Sequence, residues 1–104
     1  QGVIEILRVL EAFAENVPYV ADQIVNNNVI MESLIKCLNV QDYNIRFGVI
    51  YLLKKIMAKD PKDIEEVMSY VKRHVYNNVS ETAKLLFGND YRKYFARSAD
   101  CNLL

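Results

Sequence analysis

The chain has 104 residues, no net formal charge, 52% hydrophobic and 25% charged residues. That much apolar material argues against disorder, and electrical neutrality removes the global field that draws proteins to nucleic acid or membranes. Three Gly and two Pro are too few for a turn-rich β-sandwich, and the apolar runs fall far short of the ~20 residues of a membrane span.

The pattern along the chain is helical throughout. Residues 3–15, VIEILRVLEAFAE, place Ile6, Val9, Leu10 and Phe13 at helical spacing, with Val3, Ile4 and Leu7 widening the apolar surface. A helix this apolar expects neighbours on more than one side. Asn16 and Pro18 mark a stop and restart, because the residue before Pro disfavours helix while Pro suits a first turn. Residues 18–26 then form a shorter helix with Ala21, Ile24 and Val25 inward. The run NNN, 26–28, breaks the chain, since Asn competes for the backbone in turns.

Residues 29–39 make the next helix on Ile30, Leu34 and Leu38, with Met31 and Ile35 beside them. The loop 39–42 ends in Asp42, an N-cap residue. Residues 42–63 are the most regular stretch, a helix over 42–59 with Ile45, Val49, Leu52, Leu53 and Ile56 as the buried face. The sequence DPKD, 60–63, predicts a helix start with Asp60 as N-cap and Pro61 at the first position. Ile64, Val67, Met68, Val71 and Val75 carry that helix to about residue 76. After a second Asn-rich break, Asn78 and Glu81 have capping-box spacing. The following helix ends near Phe87 at Gly88. A last short helix is expected over 90–97, and 98–104 as a frayed tail.

Sliding the chain on itself by 43 residues aligns apolar with apolar. Ile6 meets Val49, Val9 meets Leu52, Leu10 meets Leu53 and Phe13 meets Ile56. Pro18 then meets Pro61, Ile24 meets Val67 and Val25 meets Met68. The segment 26–58, NNNVIMESLIKCLNVQDYNIRFGVIYLLKKIMA, resembles an armadillo-type repeat or the related HEAT repeat. The resemblance rests on a Leu-rich run into an Asp-containing turn, the pair Ile45-Arg46, the small residue Gly48, and Leu52, Leu53 and Ile56. It implies an all-α, right-handed superhelix of about two repeats plus a C-terminal cap. Residues 1–97 would form that single domain.

The resemblance also implies a concave helix face that binds proteins. With Ile45, Val49, Leu52 and Ile56 buried, the opposite side of 42–59 carries Phe47, Tyr51, Lys54 and Lys55. Peptide-binding armadillo repeats place Trp and Asn one turn apart on the groove-lining helix. The matching positions here are Tyr51 and Lys55, and in the preceding copy Arg8 and Ala12, so a nuclear-import-type peptide groove is not expected. The expected function is a non-catalytic scaffold whose partner-binding residues are Phe47, Tyr51, Lys54, Lys55 and Arg8, with a protein or peptide partner of acidic character. The first helix, lacking a preceding repeat, is a candidate homodimer face, and a pure oligomerisation module is one alternative function.

Charge supplies the alternative. Residues 1–44 hold six acids and two bases, leaving a net charge of −4, while 45–104 carry +4. Lys72, Arg73, Arg92 and Lys93, with Tyr76 and Tyr94, mix cations and aromatics as nucleic-acid-binding surfaces do. Catalysis has little support: His74 is the only histidine, and no phosphate loop, zinc-protease or serine-hydrolase motif is present. No metal site or cofactor is expected. Asp63, Glu65 and Glu66 are explained as acids at the positive end of a helix. Cys37 and Cys101 form no disulfide framework or CxxC pair, which fits a cytoplasmic or nuclear setting. The chain opens on Gln rather than Met, so the absence of a leader carries no weight.

Overall fold

A computed structural model describes residues 2–91. Among these, six α-helices and two 3-10 turns follow one another without strands: α1 (Gly2–Asn16), α2 (Pro18–Val25), α3 (Asn28–Lys36), a 3-10 turn (Cys37–Asn39), α4 (Tyr43–Lys59), α5 (Asp63–His74), α6 (Val79–Phe87) and a 3-10 turn (Gly88–Asp90). The helix expected over 90–97 beyond Tyr91, the tail 98–104, and Arg92, Lys93, Tyr94 and Cys101 lie outside the described residues. No described helix is long and apolar enough to cross a membrane.

The boundaries follow local chemistry. Val17 is extended ahead of Pro18, as a residue before proline must be. Asn27 caps α3 by accepting from Ile30 N at 3.0 Å. Asp42 caps α4, its Oδ1 accepting from Asn44 N at 2.8 Å and Ile45 N at 3.4 Å. Two expectations shift. Asp60 does not cap a helix directly: its Oδ1 accepts from Lys62 N at 3.1 Å, closing a turn, and α5 begins at Asp63. Asn78 precedes α6 with φ +54° and makes no side-chain cap, so no capping box forms. The short polar side chain of Asn tolerates this left-handed backbone. Glu81 instead faces Arg46. Gly88, with φ +72°, ends α6 as expected.

Helix α4 is the axis of the molecule. It packs against α1 on one side and against α2, the Cys37–Asn39 turn, α5 and α6 on others, while α3 lies on α5. Val49, Leu52, Leu53 and Ile56 are fully buried, together with Met31, Ile35, Leu38, Val67 and Val71. Each such side chain contributes roughly 1.5–3 kcal/mol relative to exposure, so this cluster dominates the fold.

Helix α1 departs from its expected orientation. Leu7 and Ala14 are buried, and Leu10 is half-buried, but Ile6, Val9 and Phe13 are 60%, 53% and 51% exposed. The reason is steric. A Cβ on Gly48 would lie 3.0 Å from Leu7 Cδ1, so the glycine admits α1 against α4 along the Leu7 line. That contact turns the Ile6–Phe13 stripe outward. Ile30 is likewise exposed, its place in the core taken by Met31 and Ile35.

Candidate protein-binding groove

Between α1 and α4 runs an open groove of about 730 Å³. Ile4, Leu7, Arg8 and Glu11 form the α1 wall. Asn44, Phe47, Gly48, Ile50, Tyr51 and Lys54 form the α4 wall, and Leu85 of α6 closes one side. Four of the five residues expected to bind a partner, Arg8, Phe47, Tyr51 and Lys54, therefore meet in one concavity. Gly48 and Leu7, whose contact sets how closely the two helices approach, also line it.

The α4 wall is aromatic. Tyr43, Phe47 and Tyr51 lie at i, i+4 and i+8 on one side of the helix, and all three are exposed. Tyr43 and Phe47 stack, with ring centroids 5.3 Å apart and an interplanar angle of 29°. The Arg46 guanidinium lies 4.5 Å from the Tyr43 ring centroid, a cation–π contact that steadies the first member of the row. Phe47 thus packs on a neighbour in its own helix and keeps its outer surface free.

Lys55 is paired within the fold. Its Nζ lies 2.9 Å from Glu15 Oε2, and that hydrogen bond, with the nearby negative charge, raises the Lys55 pKa. Lys59 Nζ donates to the Glu15 carbonyl oxygen at 2.8 Å. Lys55 therefore ties α4 to the end of α1 and sits outside the groove, although its ammonium lies 5.8 Å from the Tyr51 ring centroid. Lys54 faces two hollows, the groove and a smaller one of about 230 Å³ lined by Met57, Ala58, Ile64, Leu86 and Phe87.

Arg46, the arginine of the Ile-Arg pair, is buried rather than displayed. Its Nη1 donates to the carbonyl oxygens of Val40 at 3.2 Å and Gln41 at 3.3 Å, and Nη2 lies 3.9 Å from Glu81 Oε1. It staples the 40–42 loop to α4 and faces α6.

The described part of the basic cluster, Lys72, Arg73 and His74, is engaged locally. The Arg73 guanidinium lies 4.8 Å from the Tyr70 ring centroid, and its Nε donates to the Ser69 carbonyl at 3.4 Å. Lys72 is half-buried. His74 stacks on Tyr70 with centroids 6.2 Å apart, and its carbonyl accepts from Asn39 Nδ2 at 2.9 Å. The fields of His74 and Arg73 also reach Glu32, whose pKa is lowered chiefly by its hydrogen bond to Lys36.

One grouping escaped the sequence pattern. Asp22, Asp60 and Asp63 bring carboxylate oxygens within 4.8 Å of one another. Oxygen donors of this kind suit hard cations. Burial, then the charges of Asp60, Asp22 and Glu66, raise the Asp63 pKa, and its Oδ2 has no hydrogen-bond partner. Asp22 is remote in sequence and reaches the cluster through packing of α2 near α5, so no local motif announces it.

No family model, curated protein or solved structure matches this chain.

Proposed function

We propose that the chain is a non-catalytic protein-interaction scaffold that holds a partner segment in the α1/α4 groove, within a right-handed armadillo- or HEAT-like arrangement of helices. The 43-residue offset, which pairs α1 with α4 and α2 with α5, supports the repeat reading. The observation that carries the function is the meeting of Phe47, Tyr51, Arg8 and Lys54 in one open groove. Aromatic side chains supply contact area at small entropic cost, and interface hot spots are enriched in Tyr and Arg. Two cations against the single acid Glu11 favour a partner segment that presents a carboxylate beside an apolar side chain. A cytoplasmic or nuclear setting suits this reading.

The nucleic-acid alternative gains less support. Among the described residues, Arg73 is already stacked and hydrogen-bonded within its own helix, and exposed aromatics with nearby cations line one side of α4.

A photo-crosslinking residue in place of Tyr51 tests the proposal against one in place of Tyr76, which is exposed elsewhere. Protein adducts specific to position 51 are expected. Adducts at both positions alike, or at 76 alone, would contradict it.

A further inference from the structure

The walls of the α1/α4 groove offer a guest side chains and little backbone. Arg8 and Glu11 stand inside α1, and Phe47, Tyr51 and Lys54 stand inside α4. Backbone N–H and C=O groups inside a helix are already paired along their own chain. Among the described lining residues, the one side-chain amide, able both to donate and to accept, is Asn44 in the first turn of α4. An extended segment laid between these walls would take its own N–H and C=O groups out of water and meet few fixed partners for them, which buried backbone does not tolerate. A helix satisfies its backbone internally and presents only side chains.

The charge of the walls is open on both sides. Among the described residues, Lys36, Arg46 and Lys55 have ion-pair partners, whereas Arg8 and Lys54 have none, and both are exposed. Arg8 belongs to the α1 wall and Lys54 to the α4 wall. A guest lying between the walls therefore meets one cation on each flank. The dimensions agree: Phe47 and Lys54 lie seven residues apart on α4, ~10 Å at 1.5 Å per residue, and positions i to i+7 of a guest helix span the same ~10 Å.

We infer that the groove takes an amphipathic α-helix of a protein partner, with an apolar stripe at i, i+4 and i+7 flanked on both sides by Asp or Glu. This assignment rests on the groove being a partner site, and it adds the guest's backbone conformation and charge pattern. The stripe lies against Phe47 and Tyr51, one acidic flank faces Arg8 and the other faces Lys54. A guest with Lys or Arg beside its stripe sets like charges together and is rejected.

The test uses displayed random peptides of about 16 residues, ~24 Å long as a helix, selected on the immobilised full chain. Binders are kept when they lose affinity for both Tyr51→Ala/Lys54→Glu and Arg8→Glu, two variants altered at exposed positions. The kept peptides are synthesised and their affinities measured. They are expected to share the i, i+4, i+7 apolar pattern with flanking acids. A proline at a central position that makes no anchor contact is expected to weaken binding about tenfold or more, because it breaks a helix interior. An i, i+4 side-chain crosslink on the outer face is expected to strengthen binding, because it holds the helix before association. Kept peptides that alternate apolar and polar residues, tolerate the proline and gain nothing from the crosslink would show an extended guest. They would overturn the inference and leave the groove a protein site. Kept peptides without an excess of acids would overturn it too. Absence of any peptide sensitive to the groove variants would contradict the scaffold reading itself, and the inference with it. Sedimentation of the chain alone is expected to show no self-association through this groove; a dimer that Tyr51→Ala/Lys54→Glu dissociates would assign the groove to a second copy and overturn the inference.

Discussion

Asn39 and Asn77 are joined twice across the molecule. Asn77 N donates to Asn39 Oδ1 at 3.2 Å, and Asn77 Nδ2 donates to the Asn39 carbonyl at 3.1 Å. Asn39 also accepts from Tyr76 N at 2.9 Å and donates to the His74 carbonyl at 2.9 Å. The Asn39 amide thus closes the end of α5, and the Asn77 amide in return closes the turn that follows α3, satisfying backbone groups that helix termini leave without intrahelical partners.

Asn39→Ala should therefore destabilise the fold by about 1–3 kcal/mol, because it removes three side-chain hydrogen bonds from a part-buried site at once. Asn77→Ala removes only the outer arm of the clamp and should cost about 1 kcal/mol or less. Urea unfolding of the two variants checks the order. Equal losses would mean that Asn39 is not the hub.

Gly48 sets the distance between the groove walls. Gly48→Val should destabilise by about 1–3 kcal/mol through overpacking against Leu7, and it should weaken partner binding by moving the α1 wall outward. Gly48→Ala should be far milder, because Leu7 Cδ1 is the flexible end of a side chain and Ala gains ~1 kcal/mol of helix propensity over Gly. Denaturation midpoints of the pair decide this; identical midpoints for Val and Ala would argue against a steric role.

Asp63 gives the fold a pH dependence of unusual sign. Its folded pKa is raised above the ordinary value of 3.8, so the folded state holds the proton more tightly than the unfolded chain. Its contribution to stability falls as pH rises from that ordinary value through the raised one, and the cost is then fully present at neutral pH. Asp63→Asn should raise Tm at pH 7, and the gain should shrink toward pH 4. Glu65 and Glu66 remain in the first turn of α5 to complement the helix dipole. A gain that is independent of pH would mean that charge is not the cause.

Much of this architecture is legible in the sequence, and the reasons for the rest are physical. Asp42, Pro18 and Gly88 announce helix ends because capping and backbone freedom act within a few residues. The aromatic row on α4 is legible from i, i+4 spacing, and the Arg8, Phe47, Tyr51 and Lys54 set converges as the helix faces suggest. Which way α1 turns is not legible, since apolar residues occupy two of its sides and only the fit of Leu7 beside Gly48 chooses between them. Arg46 reads in the sequence only as half of the Ile45-Arg46 pair, which does not announce that the carbonyls of Val40 and Gln41 draw it inward. Lys55 and Lys54 are neighbours in sequence, and only the position of Glu15 assigns one to a brace and leaves the other to the groove. The Asn-rich breaks read as loops, but Asn39 and Asn77 serve as a clamp because their partners lie in distant segments.

The most direct measurement is affinity capture from nuclease-treated lysate, comparing wild type with Tyr51→Ala/Lys54→Glu and with Lys55→Ala. Thermal unfolding should first show all three proteins folded: Tyr51 and Lys54 lie at the surface, and losing the partly exposed Lys55–Glu15 pair should lower Tm only slightly. A protein partner that survives nuclease, is lost with Tyr51→Ala/Lys54→Glu and persists with Lys55→Ala is the predicted result. Equal recovery by all three, or a signal abolished by nuclease, would contradict the groove as the partner-binding surface.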